Sequence, residues 1–218
     1  MKHTLEISGC RLLFDERVIL SDIYLKVETG NIVGLLGYNG SGKSCLMRGI
    51  FGTLAYEKSV SMDGISIYKA YQQPRRIRYL PQHHFIPKWL TLQRIFRDFS
   101  IDFSAFAQLF PELKDREKVR IDHLSSGMHR LVEIYVILKS ETQFILLDEP
   151  FTHISPIQMN MIENIITSEV VNKGFLVTDH MYRRIQRICT QIYLLSDGKT
   201  VLVKENDDLR RLGYLPSE

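Results

Sequence analysis

No stretch of this sequence is apolar for long: runs such as Ile32–Leu36 and residues 144–147 fall far below the ~20 residues of a membrane-spanning helix. Any contact with a bilayer is therefore expected to come through a partner. Residues 1–9 alternate polar and apolar side chains and read neither as a signal peptide nor as an anchor. Charge of one sign is scarce too. With 28 Lys and Arg against 25 Asp and Glu the net charge is +3, too slight for a protein that grips a phosphate backbone, so no nucleic-acid partner is expected. Cysteine occurs three times, as Cys10, Cys45 and Cys189, without CxxC or Cys/His spacing. That excludes a disulfide framework and points to buried free thiols in a reducing compartment. No internal repeat and no low-complexity linker interrupts the chain. What remains is 218 residues with 44% hydrophobic and 24% charged content, enough for one domain with a sizeable core.

Two patterns of hydrophobicity divide the chain. Leu5/Ile7 and Ile23/Leu25/Val27 alternate with a period of two, as half-buried strands do, and Asp15-Glu16 is placed to turn the chain between them. Residues 32–36, 144–147 and 175–177 are continuously apolar, which predicts strands covered on both faces in a parallel α/β sheet. Helical spacing appears at Leu92, Ile95, Phe96 and Phe99 after a Thr91 cap, and at Phe106, Leu109, Phe110 and Leu113 after Ser104. A small helical insert is thus expected over residues 85–119. Its Trp89, Phe96, Phe99, Phe103, Phe106 and Phe110 are read as core in preference to a docking groove. Ser196-Asp197-Gly198-Lys199 predicts a hairpin turn and residues 206–212 a short last helix.

Gly37-Tyr38-Asn39-Gly40-Ser41-Gly42-Lys43-Ser44 matches GxxxxGK[ST] between a buried-strand run and a helical run, the context that motif requires. Its glycines let backbone NH groups face phosphate oxygens at the positive end of a helix. Lys43 is expected to reach the β and γ phosphates and Ser44 to hold Mg2+. Cys45 follows where a hydroxyl would have met the α phosphate. Further on, the run ending in Leu147 delivers Asp148 and Glu149 at the carboxyl edge of a strand, where open α/β sheets bind ligands. Asp148 is expected on Mg2+ and Glu149 on the attacking water.

The phosphate loop, Gln82 in Tyr79-Leu80-Pro81-Gln82, the segment Leu124-Ser125-Ser126-Gly127-Met128, the LLDEP run and His180 occur in the order of the ABC ATPases, a family the chain resembles over nearly its whole length. The resemblance implies an α/β P-loop NTPase core with a mostly parallel sheet, an antiparallel N-terminal β subdomain and a small helical subdomain. The core falls on residues 1–82 and 140–218, the helical part on 83–139. It implies ATP as ligand and a Mg-dependent ATPase activity. Gln82 is then a sensor of Mg2+ and water, His180 a contact to the γ phosphate, and Phe14 a stacking partner for adenine. Ser125, Ser126 and Gly127, at the start of a helix over residues 128–139, resemble the LSGGQ signature that covers ATP held by a second ABC ATPase subunit.

The sequence departs from that pattern at three places. Ser126 replaces a glycine and Met128 a glutamine of the signature, and Thr152-His153-Ile154-Ser155 stands where the family carries SALD. Slow hydrolysis and weakened communication between sites are expected, in a homodimer or in a heterodimer. The leading function is the motor of an ABC transporter, docked on transmembrane permease subunits at the cytoplasmic face of the cell membrane. The EPF and TDH wording resembles the lipopolysaccharide-transport and branched-chain amino-acid branches. A soluble ABC ATPase serving assembly or regulation is the alternative. A small P-loop kinase leaves Leu124 to Gly127 and His180 without a role, and Arg183, Arg184 and Arg187 read as the solvated face of a helix.

Overall fold

The computed structural model describes residues 2–216. Met1, Ser217 and Glu218, which the single-domain reading includes, lie outside the described residues. The strands are β1 (Thr4–Phe14), β2 (Arg17–Leu20), β3 (Tyr24–Glu28), β4 (Ile32–Leu36), β5 (Glu57–Met62), β6 (Ile65–Ser66), β7 (Ile77–Leu80), β8 (Phe144–Asp148), β9 (Gly174–Thr178), β10 (Gln191–Ser196) and β11 (Lys199–Val203). The helices are α1 (Lys43–Phe51), α2 (Leu92–Asp98), α3 (Phe103–Leu109), α4 (Ser126–Lys139), α5 (Pro156–Glu169), α6 (Tyr182–Ile188) and α7 (Asn206–Arg211).

Strands β11, β10, β4, β9, β8 and β7 lie side by side in that order, parallel except for the β10–β11 hairpin. Their continuous apolar runs follow from burial on both faces. Ile32, Leu36, Ile145, Leu147, Phe175 and Val177 enter one core beneath α4 and α5. Val33, Leu35, Phe144, Leu146 and Leu176 point the other way, into a second core shared with the antiparallel sheet and α1. That sheet has the order β2-β1-β5-β6, with β3 on the amino-terminal half of β1. Asp15, at φ 53, makes the turn from β1 to β2. The α/β class and the antiparallel amino-terminal sheet thus agree with the sequence reading.

The helical insert differs in detail. The second helix is capped by Asp102, whose carboxylate accepts the Ser104 NH at 2.9 Å, and not by Ser104. It ends at Leu109; Phe110 caps it, and Leu113 falls on a 3-10 turn, Pro111–Leu113, beyond it. Phe96, Phe106 and Phe110 are buried against one another and against Tyr135 of α4, with Phe106 and Tyr135 ring centres 4.8 Å apart. They are core; Trp89 is exposed. Helix α4 is buried on every side from His129 to Leu138. It packs on both α5 and β7, so the insert and the parallel sheet share one core.

The solvated-helix reading holds for Arg183 and Arg187, which are exposed, and is corrected for Arg184. Arg184 and Arg187 both bridge Glu163 of α5, and the Arg184 guanidinium lies 5.3 Å from the Phe151 ring. Glu163, nearly buried, needs that countercharge. Of the cysteines, Cys10 is buried and the other two are half-buried, all as free thiols.

Candidate active site

The phosphate loop leaves β4 and enters α1 as the motif predicts. Gly42 sits at φ 103 with Ile19 so close that a Cβ there would lie 2.9 Å from its Cγ2. No side chain caps the start of α1, so its first NH groups are left for an anion, with the helix dipole behind them. The Lys43 ammonium donates to the carbonyls of Gly37 at 2.7 Å and Tyr38 at 3.0 Å. Burial lowers its pKa, opposed by the nearby Glu149, Asp148 and Asp179. Ser41 Oγ is buried without a hydrogen bond. The Tyr38 side chain turns aside: its hydroxyl donates to the Gly213 carbonyl and its ring lies 5.3 Å from Tyr214.

One cleft of about 540 Å3 is lined by Phe14, Asn39, Gly40, Gly42, Lys43, Ser44, Cys45, Gln82, Glu149 and His180. Residues from β1, the phosphate loop, the segment after β7, the end of β8 and the end of β9 therefore meet in one place. A second cleft, of about 460 Å3, continues past Asn39, Gly40 and Ser41 to Arg17 and Val18. Phe14 is half exposed at the rim, an open aromatic face for a flat ring. Burial raises the pKa of the Cys45 thiol, so it stays neutral there.

The acid pair is held differently at its two members. Asp148 is buried, and its carboxylate accepts the Thr178 hydroxyl at 2.8 Å and the Tyr79 hydroxyl at 3.1 Å. Glu149 has φ 48, a left-handed conformation that swings its side chain off the strand direction. Its carboxylate accepts Gln82 Nε2 at 2.9 Å, which leaves the Gln82 carbonyl oxygen free. The Ser44 hydroxyl, the Gln82 carbonyl and the Asp148 carboxylate are hard oxygen donors lining a further cleft of about 530 Å3. Such a set fits Mg2+.

His180 is exposed, with Nδ1 3.6 Å from Asp179 Oδ1. Asp179 is buried, accepts the Met181 NH at 2.8 Å and has its pKa raised chiefly by burial. Ser125, Ser126 and Gly127 do not line the cleft. They open α4, where the Ser125 hydroxyl caps the Met128 NH at 3.3 Å. Gly127 is there for space as well, since a Cβ would lie 2.8 Å from the His153 carbonyl oxygen. Ser155 caps α5 reciprocally with Gln158 ahead of Pro156, a local helix-start role.

Sequence reasoning missed Arg130. Its guanidinium donates to the carbonyls of Pro81 at 2.8 Å, Asp148 at 3.2 Å and Glu149 at 3.3 Å, tying α4 to both catalytic-edge segments. Arg130 and Glu133, charged and three apart on a largely apolar helix, were the available signal.

The sequence profile of the ABC transporter family matches residues 20–152. The chain belongs to that family. This ABC ATPase is 34% identical over 205 residues to the lipopolysaccharide export system ATP-binding protein LptB of Haemophilus influenzae, covering 86% of this chain and 85% of the relative. LptB of Escherichia coli K12 is 32% identical over 223 residues, covering 91% and 89%. The ABC transporter ATP-binding protein YtrB of Bacillus subtilis is 29% identical, covering 90% and 70%. Among solved structures, an ATP-binding subunit of an ABC transporter superposes with TM-score 0.80 at 23% identity over 98% of this chain and 95% of that one. A bacterial Atm1-family ABC exporter with ATP bound gives TM-score 0.83 at 19% identity, over 97% of this chain and 40% of that one. These two likenesses establish the fold of the ABC ATPase, and the family establishes ATP as its ligand.

Proposed function

We propose that this ABC ATPase is a transporter motor in which two ATP-binding subunits close over two ATP, each completing the other's site. The observation that carries this reading is that Lys43, Gln82, Glu149 and His180 share a cleft which Ser125, Ser126 and Gly127 do not line. A second subunit supplies the latter group. Glu149 orients a water for in-line attack on the γ phosphorus and draws its proton. ATP and water give ADP and phosphate. Lys43 and His180 offset charge on the transferring oxygens, Phe14 stacks on adenine, and Gln82 holds Glu149 in place. Mg2+, held by Ser44, Gln82 and Asp148, would supply further neutralisation of the phosphate oxygens.

The cleft beside Gln82 also carries Phe51, Tyr79, Phe85 and Phe99, an apolar floor suited to a permease segment. Docking there links the segment after β7 to transport and holds the ATPase on the cytoplasmic face of a membrane. Among the described residues no helix is long and apolar enough to cross one. The side chains of Ser126 and Met128 at the signature weaken closure, so turnover is slow.

Glu149→Gln keeps the nucleotide contacts and removes the base. With Mg-ATP this variant is expected to elute as a dimer in size-exclusion chromatography and to release phosphate about 10²–10⁴-fold more slowly than the parent. A monomer under saturating Mg-ATP overturns the self-closing sandwich.

A further inference from the structure

Three side chains between Gln82 and the signature helix take no part in the ATP site. His84 lies two residues beyond Gln82, while His129 and Glu133 sit one turn apart on α4. The His84 and His129 rings stack face to face, with centres 3.8 Å apart and planes at 13°. Both nitrogens that face the carboxylate are close to it: His84 Nδ1 is 2.8 Å from Glu133 Oε2 and His129 Nε2 is 3.4 Å from Oε1. The three ligand atoms all lie within 4.8 Å of one another.

Each member has a feature that simple packing does not require. His129 Nε2 is buried and, despite its nearness to Glu133, makes no hydrogen bond, an arrangement costly for a nitrogen lone pair. The Glu133 side chain is fully buried. Its carboxylate lies 2.8 Å from His84 Nδ1 and accepts the NH groups of Phe85 at 2.7 Å and Ile86 at 3.2 Å. His84 is about a third exposed, so the cluster has a door to solvent.

We propose that His84, His129 and Glu133 form a Zn2+ site joining the segment after Gln82 to the signature helix. Two imidazole nitrogens and one carboxylate oxygen suit a borderline dication, and the solvent side leaves a fourth position for water. A single oxygen ligand is too few for Ca2+ or Mg2+. Tetrahedral Zn2+ with bonds near 2.1 Å needs ligand atoms about 3.4 Å apart, an adjustment that rotation of the partly exposed His84 ring supplies. Arg130 Nη1, 3.6 Å from Glu133 Oε2, opposes a second cation. It makes the site weaker than the same three ligands alone.

The test is titration of the chelator-treated full chain with Zn2+, without nucleotide or Mg2+, by isothermal calorimetry. One ion per chain is expected, with affinity reduced at least tenfold in His84→Ala and in His129→Gln. Co2+ as a spectroscopic probe should give the visible bands of a tetrahedral nitrogen and oxygen set in the parent and not in His84→Ala. His84→Ala, at an exposed position, keeps the test sound if His129→Gln fails to fold. Equal Zn2+ binding by the parent and His84→Ala, or no saturable binding by the parent, overturns the site. The ATPase reading is untouched by either result.

Discussion

Two helices of this molecule begin at positions to which the proposed mechanism assigns phosphate, and they begin differently. Helix α1 starts from Gly42 with no side-chain cap, its first turn facing a cleft walled by Lys43, Gln82 and Glu149. Helix α4 starts from Ser125, whose hydroxyl already accepts the Met128 NH. The orphan NH groups of α1 are satisfied only by a ligand or solvent, so that end is prepared for an anion within the chain itself. At α4 the Ser125 hydroxyl is already engaged, and in the proposed sandwich a phosphate brought by another subunit must share it. In that sandwich the uncapped terminus is the primary site and the capped one the surface that closes over it.

Breaking the α1 side should have the largest effect. Lys43→Ala removes the one ammonium on the phosphate path, and phosphate-release assays should show turnover lowered by about 10²–10³-fold. Retention of a tenth of the activity would remove the contrast between the two helices. Arg130→Met tests what ties α4 to the cleft. It strips the guanidinium from three carbonyls and leaves Glu133 without its cation, and urea unfolding should show a loss of about 3–5 kcal/mol. A loss below ~1 kcal/mol would mean that the signature helix is held by apolar packing alone.

The smallest structural change sharpens the comparison most. Ser125→Ala deletes a cap worth about 1 kcal/mol, read as a lower melting temperature, and should also weaken ATP-driven dimerisation. If stability falls and dimerisation does not, Ser125 is a cap and nothing more. Finally, acid should loosen α4. Glu133 is held at about 2, below its ordinary 4.5. Its contribution is therefore present in full above pH ~4.5 and is lost as pH falls toward ~2. Glu133→Gln should flatten the stability–pH curve in that window, as followed by acid titration with circular dichroism.

Much of this arrangement was legible before any fold was drawn. Residues 32–36, 144–147 and 175–177 read as doubly covered strands because burial on both faces removes the need for alternation. The phosphate loop was readable because it needs glycine, lysine and serine at set spacing along one continuous segment. The start of α3 was misassigned because Asp102 and Ser104 are equally good caps, and only the path of the chain selects between them. Arg184 was read as solvated because Glu163, its partner, comes from a different helix.

By itself the sequence determined the strand types, the phosphate cradle and the order of family motifs, since each depends on residues adjacent along the chain. Tertiary structure alone decided that Gln82 donates to Glu149, that Arg130 clamps three carbonyls, and that His84 stacks on His129. Those contacts join segments far apart in sequence. They arise because α4, buried on every side from His129 to Leu138, is driven into the core between β7 and α5 and carries its few polar side chains to the catalytic edge with it.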